Sequence, residues 1–105
     1  RGEIHRLQNE REIPLEVISH CLRIIELSEE LIDNGNPNLV SDAGVSAEVS
    51  LAGVRGAAMN VLINLIGIDD DSYCNKKRKL VHKLINDAEK NWKIVFDKTM
   101  KKIIS

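Results

Sequence analysis

The sequence is poor in aromatic side chains, in cysteine and in net charge. Tyr73, Trp92 and Phe96 are the only aromatic residues among 105, although 43 % of the chain is hydrophobic. A core made from this composition must consist mainly of leucine, isoleucine, valine and alanine, which suits packed helices. The formal net charge of −1 excludes a global electrostatic attraction to nucleic acid or to an anionic membrane.

Long apolar runs and cysteine motifs are also missing. No apolar run reaches the roughly 18 residues that a membrane-spanning helix needs, and residues 1–13 lack the apolar segment of a secretory signal. Cys21 and Cys74 have neither metal-binding nor redox spacing, and the histidines lack partners at metal spacing. We therefore expect reduced thiols, no metal and a cytoplasmic location. Because the chain begins with Arg1, we also expect a fragment or a processed product.

Apolar residues at helical spacing predict a first helix at about residues 14–33. Pro14 suits its first position, because the amide proton that proline lacks would have no partner there. The pattern ends at Asn34 and Gly35, where we expect a left-handed glycine to stop the helix.

Two further helices are predicted at about residues 42–66 and 70–103. Ser41 is a candidate N-cap for the second helix, which places Asp42 in the first turn, where a negative charge is favourable. The aspartates at positions 69–71 offer N-caps for the third helix. Three long helices with short connections predict an all-α antiparallel bundle that is part of a larger helical domain or oligomer.

The second predicted helix carries a stripe of small and amide residues. Its members fall within an arc of roughly 80° on a helical projection: Asp42, Ser46, Val49, Gly53, Gly56, Asn60 and Asn64. Each glycine costs about 1 kcal/mol relative to alanine inside a helix, so helix stability alone would not select this stripe. Two explanations remain open: close packing of two helix backbones, or a groove wall against which a planar ligand lies.

One stretch of the sequence resembles a known protein family: GNPNLVSDAGVSAEVSLAGVRGAAMNVLINL, residues 35–65. It is similar to the C-terminal family of formiminotransferase-cyclodeaminases, which includes formiminotetrahydrofolate cyclodeaminases and methenyltetrahydrofolate cyclohydrolases. The upstream IPLEVISHCLRIIELSEEL, residues 13–31, is similar to a helix of the same family, and the resemblance covers about residues 13–68. It implies an all-α, homo-oligomeric protein with a folate-binding cleft among its helices. A Gly-Ser-rich helix start from the family's first half contributes to that cleft, and this chain has none.

The resemblance implies a tetrahydrofolate derivative as substrate. Its chemistry requires no cofactor and no metal, and the net charge and short apolar runs of the sequence lead us to expect no nucleic-acid and no membrane partner. Both family reactions need proton transfer and stabilisation of a cation, which a carboxylate provides. We therefore expect Asp42 to be catalytic, and a helix-capping role is the open alternative. The expected substrate-binding residues are Asn38, Ser41, Ser46, Gly53, Gly56, Asn60 and Asn64.

Two further interpretations stay open. A helical assembly module with the same fold and no catalysis is the alternative function. The basic run at residues 76–79 is interpreted as a solvated helix face, and the alternative is attraction of a polyglutamyl folate tail or another anion. Nucleic acid is not expected there, because the run is short and lacks interleaved aromatic residues.

Overall fold

The computed structural model describes the backbone of residues 2–35 and 37–104 and the side chains of residues 14–35 and 37–104. Over these ranges the chain forms three helices and no strand: α1 (Gly2–Asn34), α2 (Pro37–Asn64) and α3 (Asp71–Ile104). The helices pack as an elongated bundle of 56 × 22 × 16 Å. The predicted all-α fold with three long helices is confirmed.

The core forms because apolar residues repeat every seven positions, which keeps them on one seam when helices pack side by side. The fully buried members are Ile18, Ile25 and Ile32 on α1 and Val81, Ala88 and Val95 on α3. On α2 the buried face is mostly alanine and valine: Val40, Ala43, Ala47, Leu51, Val54, Ala57, Ala58 and Val61. On α3, Leu80 is 39 % exposed, and the neighbouring Val81 is fully buried.

α1 begins well before the predicted start, at Gly2, so that Pro14 lies inside the helix. The prediction that Pro14 is the first helical position is therefore wrong. Residues 2–12 are mostly charged and polar, so hydrophobic periodicity gave little signal of this extension.

α2 begins at Pro37 and contains no acidic residue in its first turn. The predictions that Ser41 caps this helix and that Asp42 lies in its first turn are therefore wrong. Proline is favoured at the first helical position, and the earlier start buries Val40, which is 2 % exposed, in the core. Asn38 also lies within α2 instead of before it.

The two joints differ in backbone conformation. Gly67, in the joint between α2 and α3, has a left-handed φ of 86°. Gly35 does not, so the predicted left-handed glycine at the end of α1 is wrong, although α1 does end at Asn34. Glycine is needed at position 35 for another reason, since an added Cβ would collide with the carbonyl oxygen of Leu31.

Polar contacts stabilise the start of α3 and join α3 to α1. The carboxylate of Asp70 accepts a hydrogen bond from the Tyr73 backbone N–H at 3.0 Å, which confirms that an aspartate of the run 69–71 caps α3. Lys98 on α3 forms ion pairs with Asp33 at 2.9 Å and with Glu29 at 3.2 Å, both on α1. These hydrogen-bonded carboxylates raise the pKa of Lys98 above its ordinary value.

Candidate functional site

The side of α2 that faces away from the core is open to solvent and carries most of the predicted site residues. Gly53 is half-buried, and the exposed predicted site residues are Asn38, Ser41, Asp42, Ser46, Gly56, Asn60 and Asn64. Large apolar side chains stand among them, and their exposed fractions are 60 % for Val45, 66 % for Val49, 68 % for Met59 and 62 % for Ile63. We refer to residues 45, 49, 52, 56, 59, 60 and 63 as the outer face of α2. It combines small, amide and apolar side chains.

The glycines of α2 have different surroundings, which separates the two explanations for the stripe. A Cβ added at Gly53 would stand 2.8 Å from Sγ of Cys21 on α1. A Cβ at Gly44 would stand 2.7 Å from Cγ2 of Thr99 on α3. Close helix packing therefore explains both of these glycines. It does not explain Gly56, where an added Cβ would meet nothing within 4 Å.

The predicted site residues share one side of α2 but are spread along it. At about 1.5 Å per residue, Asp42 and Asn60 lie roughly 27 Å apart along the helix axis. Asn64 lies roughly 33 Å from Asp42. Both separations are much longer than a pterin ring, so one chain does not bring the carboxylate and the two amides to the same point.

Asp42 is exposed in the second turn of α2. Its carboxylate has no hydrogen bond or ion pair with any of the residues that the structure describes. The helix dipole acts mainly on the first turn, so Asp42 does not occupy the favourable position for a negative charge that was expected. The carboxylate is open to a ligand that approaches from solvent.

Apart from the outer face of α2, a cleft of about 190 Å³ lies between α2 and α3. This cleft was not predicted from the sequence. It is lined by Ser41, Gly44, Val45, Glu48, Phe96, Thr99, Met100 and Ile103. The Thr99 hydroxyl is buried and makes no hydrogen bond with the described part of the chain. At one side of the cleft the indole N–H of Trp92 donates to Glu48 Oε1 at 2.7 Å. A half-buried tryptophan needs a hydrogen-bond acceptor for its indole N–H. This need was the one feature of the sequence that could have indicated the contact.

Cysteine and histidine contribute little to the candidate site. Partial burial raises the pKa of the Cys21 thiol, which disfavours the nucleophilic thiolate. His20 and His82 are exposed, and the side chain of His5 lies outside the described residues. Within residues 14–35 and 37–104, no group of three or more His, Cys, Asp or Glu side chains is arranged to hold a metal ion.

The basic run lies on an exposed side of the first turns of α3. Lys76, Arg78 and Lys79 are exposed, and Arg78 donates a hydrogen bond to the side-chain oxygen of Asn75 at 3.3 Å. The ammonium group of Lys77 lies 5.5 Å from the centroid of the Tyr73 ring, within the range of a cation–π contact. Such local contacts are typical of a solvated helix face. No helix within the described ranges is long and apolar enough to cross a membrane.

Comparisons with known proteins agree on one family. The family model described as Formiminotransferase-cyclodeaminase matches residues 4–83. A methenyltetrahydrofolate cyclohydrolase from Methylorubrum extorquens is 35 % identical over 78 % of this chain and 39 % of its own length. The formimidoyltransferase-cyclodeaminases of Rattus norvegicus and Sus scrofa are 34 % and 31 % identical, over 73 % and 82 % of this chain. Those matches cover 14 % and 16 % of the two relatives, so this chain spans only a part of each relative.

Proposed function

The chain belongs to the formiminotransferase-cyclodeaminase family, and from that premise we propose that it forms part of a folate one-carbon enzyme. The proposed reaction is that of formiminotetrahydrofolate cyclodeaminase or of methenyltetrahydrofolate cyclohydrolase. Support comes from the exposed side of α2, which presents Asp42, Asn60 and Asn64 among small and apolar side chains. An apolar surface with a few polar groups suits a planar ligand with polar edges.

Asp42 has the proposed catalytic role. Cyclodeamination closes 5-formiminotetrahydrofolate to 5,10-methenyltetrahydrofolate and expels ammonia, whereas cyclohydrolysis adds water to the methenyl carbon. Both reactions pass through a tetrahedral carbon between two nitrogens. A carboxylate at this carbon accepts and returns a proton, and its charge stabilises the amidinium-like cation. The Asp42 carboxylate is exposed and has no described partner, so it can approach such a substrate.

Asn60 and Asn64 have the proposed role of holding the pterin. An amide side chain offers both a donor and an acceptor, and the edge of a pterin has both kinds of group. Gly56 leaves open space beside them, where a flat ring can approach the helix backbone closely. Ser41 and Ser46 provide hydroxyl groups on the half of α2 that carries Asp42. This chemistry requires no cofactor and no metal.

The second candidate function is a helical assembly module without catalysis. It is favoured by the separation of roughly 27 Å between Asp42 and Asn60 along one helix. A module of this kind would use the outer face of α2 for packing alone. The small residues of α2 argue against a simple coiled-coil adaptor, which would use stronger helix formers there.

An assay with two substrates distinguishes these functions. The purified protein is incubated with 5-formiminotetrahydrofolate, and methenyltetrahydrofolate absorbance and released ammonia are followed together. A rise of both above the uncatalysed rate supports cyclodeamination. A faster loss of absorbance from added 5,10-methenyltetrahydrofolate supports cyclohydrolysis. If neither rate exceeds that of a heat-unfolded control, the catalytic proposal is wrong and the assembly module is favoured.

A further inference from the structure

The cleft between α2 and α3 has apolar walls that the proposed folate reaction does not use. Val45 and Ile103 are 60 % and 56 % exposed, and Phe96 and Met100 are 39 % and 36 % exposed. Covering such side chains with another apolar body is favourable. A cavity of about 150 Å³ can hold benzene. The cleft, at about 190 Å³, therefore has room for one six-membered ring with a short chain.

A buried hydroxyl in the wall of this cleft lacks a partner. Thr99 is 6 % exposed, and its Oγ1 makes no hydrogen bond with any residue that the structure describes. Gly44 faces it from α2, where an added Cβ would stand 2.7 Å from Cγ2 of Thr99. A buried hydroxyl without a hydrogen bond is unfavourable. A polar atom of a molecule bound in the cleft would supply the missing partner.

One end of the cleft carries a negative charge that no described residue neutralises. Glu48 is the one charged side chain among the described residues that line the cleft. Its Oε1 accepts the indole N–H of Trp92 at 2.7 Å, which holds the carboxylate in a fixed position. No ion pair and no second hydrogen bond joins Glu48 to another residue within the described ranges. Oε2 is therefore open to a cation from solvent.

We propose that the cleft binds a small organic ammonium ion, whose apolar body lies between the apolar walls and whose charged nitrogen lies at Glu48. The attraction between a carboxylate and an ammonium group is stronger beside an apolar wall than in bulk water. Aromatic rings add to this attraction, and Phe96 lines the cleft with its ring centroid 5.4 Å from that of Trp92. Gly44, which faces Thr99, is about 6 Å from Glu48 along α2. A hydroxyl or carbonyl at the far end of the ligand would therefore reach the level of Thr99.

The lining of the cleft disfavours an anion and a pterin. No lysine, arginine or histidine is among its described lining residues, so an anion would meet only the negative charge of Glu48. The polar edges of a pterin would be buried unpaired against the apolar walls. Glu48 is about 18 Å from Asn60 along α2, and Asp42 lies roughly 110° around the helix from the centre of the lining residues. Ser41, at the opposite end from Glu48, is the one predicted site residue that lines the cleft.

Titration with tyramine tests the proposal, because tyramine carries an ammonium group and a hydroxyl at opposite ends of one ring. Trp92 is the only tryptophan in the sequence, so its fluorescence reports binding at Glu48, and calorimetry gives an independent affinity. We expect saturable binding of tyramine, at least about tenfold tighter than that of tyrosol, in which a hydroxyl replaces the ammonium group. Phloretate, which carries a carboxylate instead, should not bind. No saturable binding of tyramine, or equal affinities for the three compounds, overturns the proposal.

Two substitutions separate the charge from the apolar walls, with helical circular dichroism as the check on folding. Glu48→Gln keeps an acceptor for the Trp92 indole and removes the charge, so the affinity for tyramine should fall about tenfold while that for tyrosol is unchanged. Met100→Ala removes apolar surface and should weaken both ligands alike. The matched control Glu16→Gln, at an exposed position of α1, should leave both affinities unchanged. An unchanged affinity for tyramine in Glu48→Gln or in Met100→Ala overturns the proposal.

Discussion

Cys21 on α1 occupies the space that a side chain at position 53 of α2 would need, since a Cβ added at Gly53 would stand 2.8 Å from the Cys21 Sγ atom. We expect Gly53→Ala to destabilise the protein. Overpacking typically costs about 1–3 kcal/mol, and alanine recovers about 1 kcal/mol of helix propensity, so a net loss of about 1 kcal/mol is predicted from urea unfolding.

The same substitution in a Cys21→Ala background is the control for this prediction, because its effect on the free energy of unfolding should change sign. Once the Sγ atom is removed, Gly53→Ala should gain helix propensity without a collision and should stabilise that variant by about 1 kcal/mol. A loss of the same size in both backgrounds would show that Cys21 is not the cause.

Gly67 provides a prediction that depends on backbone conformation alone. Its φ is 86°, and an added Cβ would meet nothing within 4 Å. We expect Gly67→Ala to lower the free energy of unfolding by about 1–2 kcal/mol, because a left-handed conformation is costly for residues with a Cβ. Gly67→Asn should lose clearly less, since asparagine tolerates this conformation. Equal losses in urea unfolding would argue against the left-handed turn.

Asp70 should contribute as the N-cap of α3. Its carboxylate accepts a hydrogen bond from the Tyr73 backbone N–H at 3.0 Å. Asp70→Ala is expected to cost about 1 kcal/mol in thermal or urea unfolding, whereas Asp70→Asn should retain most of the stability. Asp69→Ala is the matched control and should change the stability by less than about 0.5 kcal/mol. An equal effect at positions 69 and 70 would assign the effect to charge instead of capping.

The ion pairs of Lys98 predict a pH dependence. Hydrogen bonds to Asp33 and then Glu29 raise the pKa of Lys98 above its ordinary value of 10.5. Because the folded state favours the charged lysine, its contribution is complete below the ordinary pKa and is lost as the pH rises through the raised pKa. The difference in Tm between the unmodified protein and Lys98→Met should therefore be constant near neutral pH and shrink at strongly alkaline pH.

Lys93→Met is the control for this pH profile. Lys93 pairs with Asp97 of the same helix at 3.2 Å, and both side chains are largely exposed. Such pairs contribute little, so its Tm difference should be small. A Lys98→Met difference that stays constant to strongly alkaline pH would show that the ion pairs do not stabilise the fold.

Sequence patterns predicted the parts of the fold that depend on local chemistry. Apolar residues at helical spacing predicted the first helix, in which Ile18, Ile25 and Ile32 are buried. The aspartates at positions 69–71 were predicted to include the N-cap of α3, and Asp70 fills that role. The start of α2 was predicted wrongly, because Pro37 and Ser41 are both residues that commonly begin a helix. The burial of Val40 favours the earlier one, and burial depends on neighbours that the local sequence does not reveal.

The candidate site was predictable to a similar extent. Helical geometry alone places Asp42 and Asn60 on one side of α2. It does not distinguish Gly53, which packs against α1, from Gly56, which packs against nothing within 4 Å. That difference comes from the position of a neighbouring helix, and it separates the packed part of the stripe from the open part.

The proposed role of Asp42 leads to a prediction about turnover. Asp42→Asn keeps the size of the side chain and removes the charge and the ability to carry a proton. If this carboxylate transfers the proton, turnover of the folate substrate should fall about 10²–10⁴-fold. Because the side chain is exposed and has no partner among the described residues, the free energy of unfolding should change by less than about 0.5 kcal/mol.

Asp69→Asn is the matched control, since it removes one negative charge from another exposed position, in the joint before α3. Equal losses of turnover in both variants would indicate a general effect of charge. Unchanged turnover in Asp42→Asn would remove Asp42 from catalysis. A loss confined to Asp42→Asn, with unchanged helical circular dichroism and an unchanged mass in solution, would separate proton transfer from folding and assembly. In that case the missing property is the ionisable carboxylate itself, because the asparagine side chain has nearly the same shape and can still form hydrogen bonds.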